Sequence, residues 1–187
     1  EIAVCIDDDI ARLYITQNGF KRPIQKKEFH QLITFMEKCL YRGYSNIIGI
    51  TMNTNPFYHH KKISKSLGTI PAGFYMFQKH YNNTIENDAI EDMERTLEYF
   101  KKDGIVLRIM NISFDKKDFS KKLKGGIQAL YNSQKRENLE KEGKEELLKK
   151  YPKTAKYLYN KRGGRIRSKN DISSLNKQYQ DLFYNIG

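Results

Sequence analysis

The chain has no tryptophan, only two cysteines and no apolar run that approaches the ~20 residues needed to cross a bilayer. Cys5 and Cys39 lie far apart in apolar surroundings, which favours reduced thiols over a disulfide or a metal-binding pair. The N-terminal segment lacks the charged and then apolar layout of a secretory signal. We therefore expect a cytoplasmic protein with no membrane partner.

Positive charge is abundant and unevenly distributed along the chain. Residues 1–115 hold 15 Lys and Arg against 14 Asp and Glu, whereas residues 116–187 hold 19 against 8. The total of +12 therefore divides into +1 for the first part and +11 for the second. Such segregation is typical of proteins that contact phosphate backbones, so the second part is predicted to bind nucleic acid, either DNA or RNA. A basic, solvated helical region of no specific use is the alternative.

The first 115 residues alternate between strand and helix patterns. Short apolar runs predict strands at 2–6, 11–16, 20–24, 46–52, 72–77 and 105–114. Apolar residues at helical spacing predict helices over 26–41 and about 88–100. The polar and basic residues 53–70 are predicted to form a loop. The order of these elements indicates an α/β or α+β domain over 1–115, with a mixed sheet covered by helices.

Residues 116–187 are predicted to form a basic, mainly helical region that binds nucleic acid. Charged residues dominate its first half, and Gly125-Gly126 interrupts the helical pattern. Asp171 or Ser173 is placed to begin a last helix that carries Tyr179 on its apolar side.

Three acidic residues, Asp7-Asp8-Asp9, directly follow the first predicted strand. Because alternate strand residues share a face, Asp7 and Asp9 can converge while Asp8 points away. Two carboxylates at a strand end suit Mg²⁺, which prefers oxygen ligands and neutralises phosphate charge. Asp7 and Asp9 are therefore candidate metal ligands and catalytic residues for metal-dependent phosphoryl or phosphodiester chemistry. The alternative is an Asp-rich turn that simply ends the strand.

The layout of Asp7-x-Asp9, a hairpin, Arg22-Pro23, a helix and a strand ending at Thr51 resembles the first half of haloacid-dehalogenase-type phosphatases. That resemblance implies a nucleophilic Asp7, an acid or base at Asp9 and a phosphate contact from Thr51. The chain departs from the family pattern at Ala11. Separately, Asp103 followed by Asp115-Lys116-Lys117 has, in outline, the spacing of divergent restriction-type nucleases.

The best candidate contact surface for nucleic acid is a basic segment near the C-terminus. Its predicted contact residues are Lys161, Arg162, Arg165, Arg167 and Lys169. Glycines at 163 and 164 allow close approach of the backbone, and arginines grip phosphate oxygens bidentately. Tyrosines in the same part are candidates for stacking on bases, although helical spacing more often indicates core packing; they are Tyr157, Tyr159 and Tyr179.

A second cluster of candidate phosphate contacts lies in the predicted loop, at Lys61, Lys62 and Lys65 with His59 and His60 nearby. Three functional classes follow. The first is a nucleic-acid-binding or nucleic-acid-processing protein, and the second is a haloacid-dehalogenase-like phosphatase. The third is a non-enzymatic ribosome- or virion-associated protein. No motif in the sequence decides among them.

Overall fold

The structure is a computed structural model that describes residues 1–60, 62–79, 88–117, 133–159, 166 and 168–184. Its strands, in chain order, are β1 (Ala3–Ile6), β2 (Ile10–Gln17), β3 (Phe20–Pro23), β4 (Ile47–Ile50), β5 (Ile63–Ser64), β6 (Phe74–Phe77), β7 (Leu107–Ile109) and β8 (Ile112–Lys116). The α-helices of the same residues are α1 (Lys26–Tyr41), α2 (Glu91–Asp103), α3 (Ser133–Lys150), α4 (Ala155–Tyr159) and α5 (Ser173–Phe183).

The strands form two sheets. The larger has the order β1-β6-β4-β7-β5, in which β4 and β7 are parallel and the other pairs are antiparallel. The smaller has the order β3-β2-β8 and is antiparallel throughout. Helices pack on this mixed arrangement, so the predicted class is confirmed as α+β.

Two elements differ from the sequence prediction. The predicted loop 53–70 contains a short 3₁₀ turn and the edge strand β5. The single strand predicted over 105–114 is divided into β7 and β8, which belong to different sheets. The division lies at Asn111, because its backbone carbonyl accepts from Thr16 N at 2.8 Å in the smaller sheet. The chain thus leaves one sheet and enters the other within two residues.

Helix α1 is amphipathic for a simple reason: apolar side chains recur every three or four residues on one face. Its buried residues Phe35, Met36 and Cys39 pack in a cluster that includes Ile48 of β4 and Phe74 of β6. Arg22 and Glu28 hold its first turn through a paired contact at 2.6 and 2.8 Å. The helix therefore covers one face of the larger sheet.

Both ends of the chain contribute to the same apolar clusters. Tyr179 and Phe183 of α5 are buried with the α1 residues, and the Tyr179 ring lies 5.2 Å from that of Phe35. Leu147 of α3 and Tyr151 are buried in a second cluster with α2. The described residues beyond 133 thus pack on the sheets rather than standing apart from them. No described helix is long and apolar enough to cross a membrane.

Candidate functional site

The acidic turn, which we define as Asp7-Asp8-Asp9, joins the two sheets. β1 ends at Ile6, and Asp7 N continues its pairing by donating to Gly73 O at 2.9 Å. Ile10 N then donates to Asp7 O at 3.3 Å, which closes the turn before β2 begins. The three aspartates therefore lie between strands of different sheets, and not on a strand as the alternation argument assumed.

Asp7 and Asp9 nevertheless converge, and the group between them is the ammonium of Lys116. Lys116 Nζ lies 2.9 Å from Asp7 Oδ2 and 2.8 Å from Asp9 Oδ2. The backbone fixes this approach, because Lys117 N donates to Asp9 O at 2.7 Å. Lys116 therefore stands at the point where the sequence predicted Mg²⁺.

Lys116 offsets part of the negative charge of the acidic turn, one ammonium against three carboxylates. Burial alone raises the pKa of Asp7, but the hydrogen bond and charge of Lys116 outweigh it and hold that pKa below its usual value. Conversely, burial lowers the pKa of Lys116, and its bonds to Asp9 and Asp7 more than compensate. The second oxygen of Asp9, Oδ1, is buried without a hydrogen-bond partner in the described part of the chain.

A polar cleft of about 600 Å³ opens beside the acidic turn and is lined in part by Asp7, Tyr75, Glu91, Asp92 and Lys116. Burial raises the pKa of Asp92. Among the described residues, no group of three or more His, Cys, Asp or Glu side chains has the arrangement of a metal site. Of the converging pair, Asp7 therefore lines the cleft, together with Lys116 and two carboxylates of α2, Glu91 and Asp92.

The residues of the phosphatase resemblance do not gather around one point. β1 and β4 lie on opposite sides of β6, so Asp7 and Thr51 are two strand spacings apart, or about 10 Å. Thr51 is buried, with only 4% of its surface exposed. Arg22 of β3, in the smaller sheet, forms an ion pair with Glu28 of α1. Asp115 of the nuclease outline pairs with Lys21 at 3.0 Å, whereas its neighbour Lys116 reaches the acidic turn.

Most of the predicted C-terminal contact residues, namely Lys161, Arg162, Arg165 and Arg167, lie outside the described residues. Lys169 is described and exposed. Ile166 and Ser168 of the same segment are described as well.

Ile166 and Ser168 lie against the segment that follows β5. Leu67 N donates to Ile166 O at 2.8 Å, and Ser168 N donates to Lys65 O at 3.2 Å. These two bonds have the reciprocal form of a strand pairing, and they extend the edge of the larger sheet. The two basic segments that the sequence treated separately are therefore neighbours.

Further contacts fix the junction between the two segments. Lys65 Nζ donates to the carbonyl of Asn170, and Ile63 N donates to Asn176 Oδ1 of α5 at 2.7 Å. The guanidinium of Arg108 lies against Gly68, where an added Cβ would collide with Nη2. Any larger residue at position 68 would displace this arginine.

We define the basic surface as the described cationic residues of the segments that form this junction, which are Lys62, Lys65, Arg108 and Lys169. Lys62 and Lys169 are exposed, and Lys65 and Arg108 are half-buried. Asp171 is the acid whose pKa shows the influence of Lys65, although bonds from Ser173 are the largest cause of its lowering. The segments of the junction thus carry cations on either side of β5, on β7 and near the C-terminus.

The tyrosines predicted to stack on bases have different positions. Tyr179 is fully buried and donates to Asn111 Oδ1 at 2.6 Å, so it cannot stack on a base. Tyr157 is 37% exposed on α4. The side chain of Tyr159 lies outside the described residues. Helical spacing indicated core packing for Tyr179, and that interpretation is the one the structure supports.

Sequence reasoning missed two exposed aromatic residues, Phe57 and Tyr58, whose exposed fractions are 84% and 56%. They lie on the short 3₁₀ turn Pro56–Tyr58, five and four residues before Lys62. The available signal was their place beside Pro56 in a polar segment without acidic residues. Sequence reasoning also missed Lys116 as the partner of Asp7 and Asp9, because no local sequence pattern connects positions so far apart.

Comparisons with known proteins assign no relative: no family model, curated protein or solved structure matches the chain. The function is therefore argued from the geometry and charge of the site alone.

Proposed function

We propose that this protein binds nucleic acid, DNA or RNA, through the basic surface. One observation supports this most strongly. A lysine-rich segment and an arginine- and lysine-rich segment lie about a hundred residues apart in sequence, and the Leu67–Ile166 and Ser168–Lys65 backbone bonds join them. The fold brings like charges together there.

Gathering like charges does not stabilise a folded chain by itself. Cations a few ångströms apart repel one another, and water and salt only weaken the repulsion. A phosphate backbone reverses the balance, because it neutralises the cations and releases its own condensed counterions. The basic surface is thus better suited to a polyanion than to the stability of the free protein.

The sequence has more cations next to the described C-terminal residues. Arg165 and Arg167 are the neighbours of Ile166, and Arg162 precedes the two glycines. Arginine contacts phosphate bidentately and is more weakly hydrated than lysine, which suits a phosphate contact. The proposal therefore includes these arginines as contact residues together with the lysines.

Cleavage of the bound chain is a second candidate function, with Mg²⁺ held by Asp7 and Asp9. The observation that favours it is the convergence of both carboxylates on one cation, the ammonium of Lys116. A metal ion would require that ammonium to move away. Mg²⁺-dependent phosphodiester hydrolysis that disappears in Asp7→Asn and Asp9→Asn would support this activity, and unchanged hydrolysis would exclude the pair.

The phosphatase alternative has no supporting contact, since Asp7 and Thr51 are separated by β6. A non-enzymatic role on a ribosome or virion uses the same basic surface and differs only in the absence of catalysis. A cytosolic location completes the proposal. It is supported by the free thiols Cys5 and Cys39, the second of which is buried with its pKa raised to about 12.

Removing charge from the basic surface tests the proposal. The triple variant Lys65→Gln, Arg167→Gln and Lys169→Gln should lower affinity for labelled DNA or RNA about a hundredfold at low salt. Fluorescence anisotropy of the labelled oligonucleotide provides the measurement.

A matched control removes three exposed lysines elsewhere, through Lys141→Gln, Lys149→Gln and Lys153→Gln. This control carries the same net charge as the triple variant and should bind within a few-fold of wild type. Equal losses in both variants would mean that total charge, and not the basic surface, governs binding. Absence of any binding by the wild type at low salt would overturn the proposal.

A further inference from the structure

Two aromatic side chains protrude from the segment that leads into the basic surface. We define the aromatic loop as residues 51–60, with Phe57 and Tyr58 at its tip. Their rings are in edge-to-face contact, with centroids 5.4 Å apart. Phe57 is 84% exposed, so this contact covers little of it. Leaving so much aromatic surface in water forgoes the gain in free energy that burial would give.

The aromatic loop is held in shape by its own side chains. Asn53 N donates to Thr51 Oγ1 at 3.2 Å, and Asn55 N donates to Asn53 Oδ1 at 2.9 Å. Phe57 N then donates to Asn55 Oδ1 at 3.0 Å. An acceptor at every second position thus carries the chain outward to the aromatic tip. The exposure of Phe57 is a consequence of an ordered turn.

His59 ties the far side of the aromatic loop to the smaller sheet. Its Nδ1 lies 2.5 Å from Thr16 Oγ1, and its Nε2 contacts the carbonyl of Asn53. Burial lowers the pKa of His59, and the nearby charge of Lys21 lowers it further. Because the Asn53 carbonyl can only accept, Nε2–H donates to it, and with that tautomer Nδ1 accepts from the Thr16 hydroxyl, so the ring joins both ends of the turn to β2.

The segment around the aromatic tip has no negative charge. Residues 51–62 contain no acidic side chain, and Lys62 follows Tyr58 by four positions. Lys62 is fixed at the edge of the larger sheet, where its carbonyl accepts from Met110 N at 3.1 Å. Phe57 and Lys62 are five positions apart, so their Cα atoms are at most about 18 Å from each other.

From this juxtaposition we infer that the ligand is single-stranded nucleic acid, whose bases stack on Phe57 and Tyr58 while its phosphates contact the basic surface. This inference rests on the proposed function and specifies its substrate. Exposed aromatic rings beside a cationic track are what unpaired bases and a phosphate backbone require together. Bases in a duplex are already stacked on one another and leave no face for Phe57. An anionic membrane surface is the competing partner, and phosphatidylserine vesicles distinguish it from single-stranded nucleic acid.

Because the chain has no tryptophan, a single introduced indole can report on binding by its fluorescence. In Phe57→Trp the single indole should be quenched by a single-stranded oligothymidylate or oligouridylate and not by a duplex of equal length. Phe20→Trp is the matched control, because Phe20 is 79% exposed on β3, at the turn of the β2–β3 hairpin. Its emission should not change with either ligand.

Removal of the rings provides the second measurement. Phe57→Ala with Tyr58→Ala should weaken single-strand binding about tenfold or more and leave duplex binding nearly unchanged, since each stacked base contributes substantially to affinity. Phe20→Ala with Tyr41→Ala removes two other exposed rings and should have no effect. Unchanged urea unfolding midpoints would exclude a folding defect.

The outcomes separate this inference from the proposed function. If the basic-surface triple variant loses binding but the variant without Phe57 and Tyr58 binds single strands like wild type, stacking is wrong and the proposed function stands. If no nucleic acid binds the wild type, both are wrong. If the indole of the Phe57→Trp variant responds to phosphatidylserine vesicles and not to oligonucleotides, the aromatic loop contacts membranes and the inference is overturned.

Discussion

The acidic turn and the basic surface are built in the same way and differ in the charges they combine. Each joins two segments about a hundred residues apart, through Lys117 N to Asp9 O in one and Leu67 N to Ile166 O in the other. In the acidic turn the arriving segment brings the opposite charge, Lys116. In the basic surface it brings more of the same charge. The first arrangement offsets part of its own charge, whereas the second adds to its charge and leaves it for a partner.

The largest effects are expected when the charge of one lysine in each region is reversed. Lys116→Glu would place three carboxylates together and should lower the free energy of unfolding by about 2 kcal/mol, because solvent at the 42% exposed Lys116 screens part of the loss. Nucleic-acid affinity should hardly change. Urea unfolding and anisotropy measured on the same samples provide both values.

Lys169→Glu should give the opposite pair of results. This exposed lysine belongs to the basic surface, so its reversal should weaken binding roughly tenfold at low salt. Its effect on unfolding should stay within about 0.5 kcal/mol, as is usual for surface substitutions. If both reversals affected stability and binding alike, the distinction between the two regions would be lost.

A smaller effect should appear in the pH dependence of stability. Because the folded pKa of Asp7 is below the model-compound value of 3.8, its contribution is present above that pH and is lost as pH falls through the folded pKa. Asp7→Asn should therefore flatten the acid limb of a urea stability profile between about pH 6 and pH 2. Asp8→Asn, which removes an exposed carboxylate from the same turn, is the control variant.

Whether the sequence could predict a feature of these regions depends on how many residues the relevant pattern spans. Local patterns predicted α1, α2 and most strands, because amphipathic spacing is visible within a dozen residues. The convergence of Asp7 and Asp9 was also within reach, since only one residue separates them. Their partner Lys116 was not, because no local pattern specifies a contact across more than a hundred positions.

The same limit applies to the basic surface. Composition located an excess of positive charge beyond residue 116, and Lys169 is among its exposed members. The pairing of Lys65 with Ser168 depends on how α5 packs, through Tyr179 and Phe183, against α1. Such packing is a property of the whole fold. The aromatic loop was missed because the identity of an aromatic residue does not indicate whether its ring is exposed or buried.

The smallest expected effect is a change in nucleic-acid affinity when an acid beside Lys65, Asp171, loses its charge. Asp171→Asn removes a negative charge beside Lys65 while the amide oxygen can still accept from Ser173 N, as the carboxylate does at 2.9 Å. Affinity for nucleic acid should rise about twofold to threefold at low salt. Glu142→Gln on α3 is the control and should leave affinity unchanged. A fall in affinity for Asp171→Asn would show that the acid takes part in binding.

The dependence of affinity on salt tests the central claim most directly. For wild type, the logarithm of the binding constant should fall linearly with the logarithm of salt concentration. In the Lys65→Gln, Arg167→Gln and Lys169→Gln variant, that slope should become shallower by about 2 for a single strand, since three phosphate contacts are removed. The same slope in both proteins would contradict the assignment of binding to the basic surface.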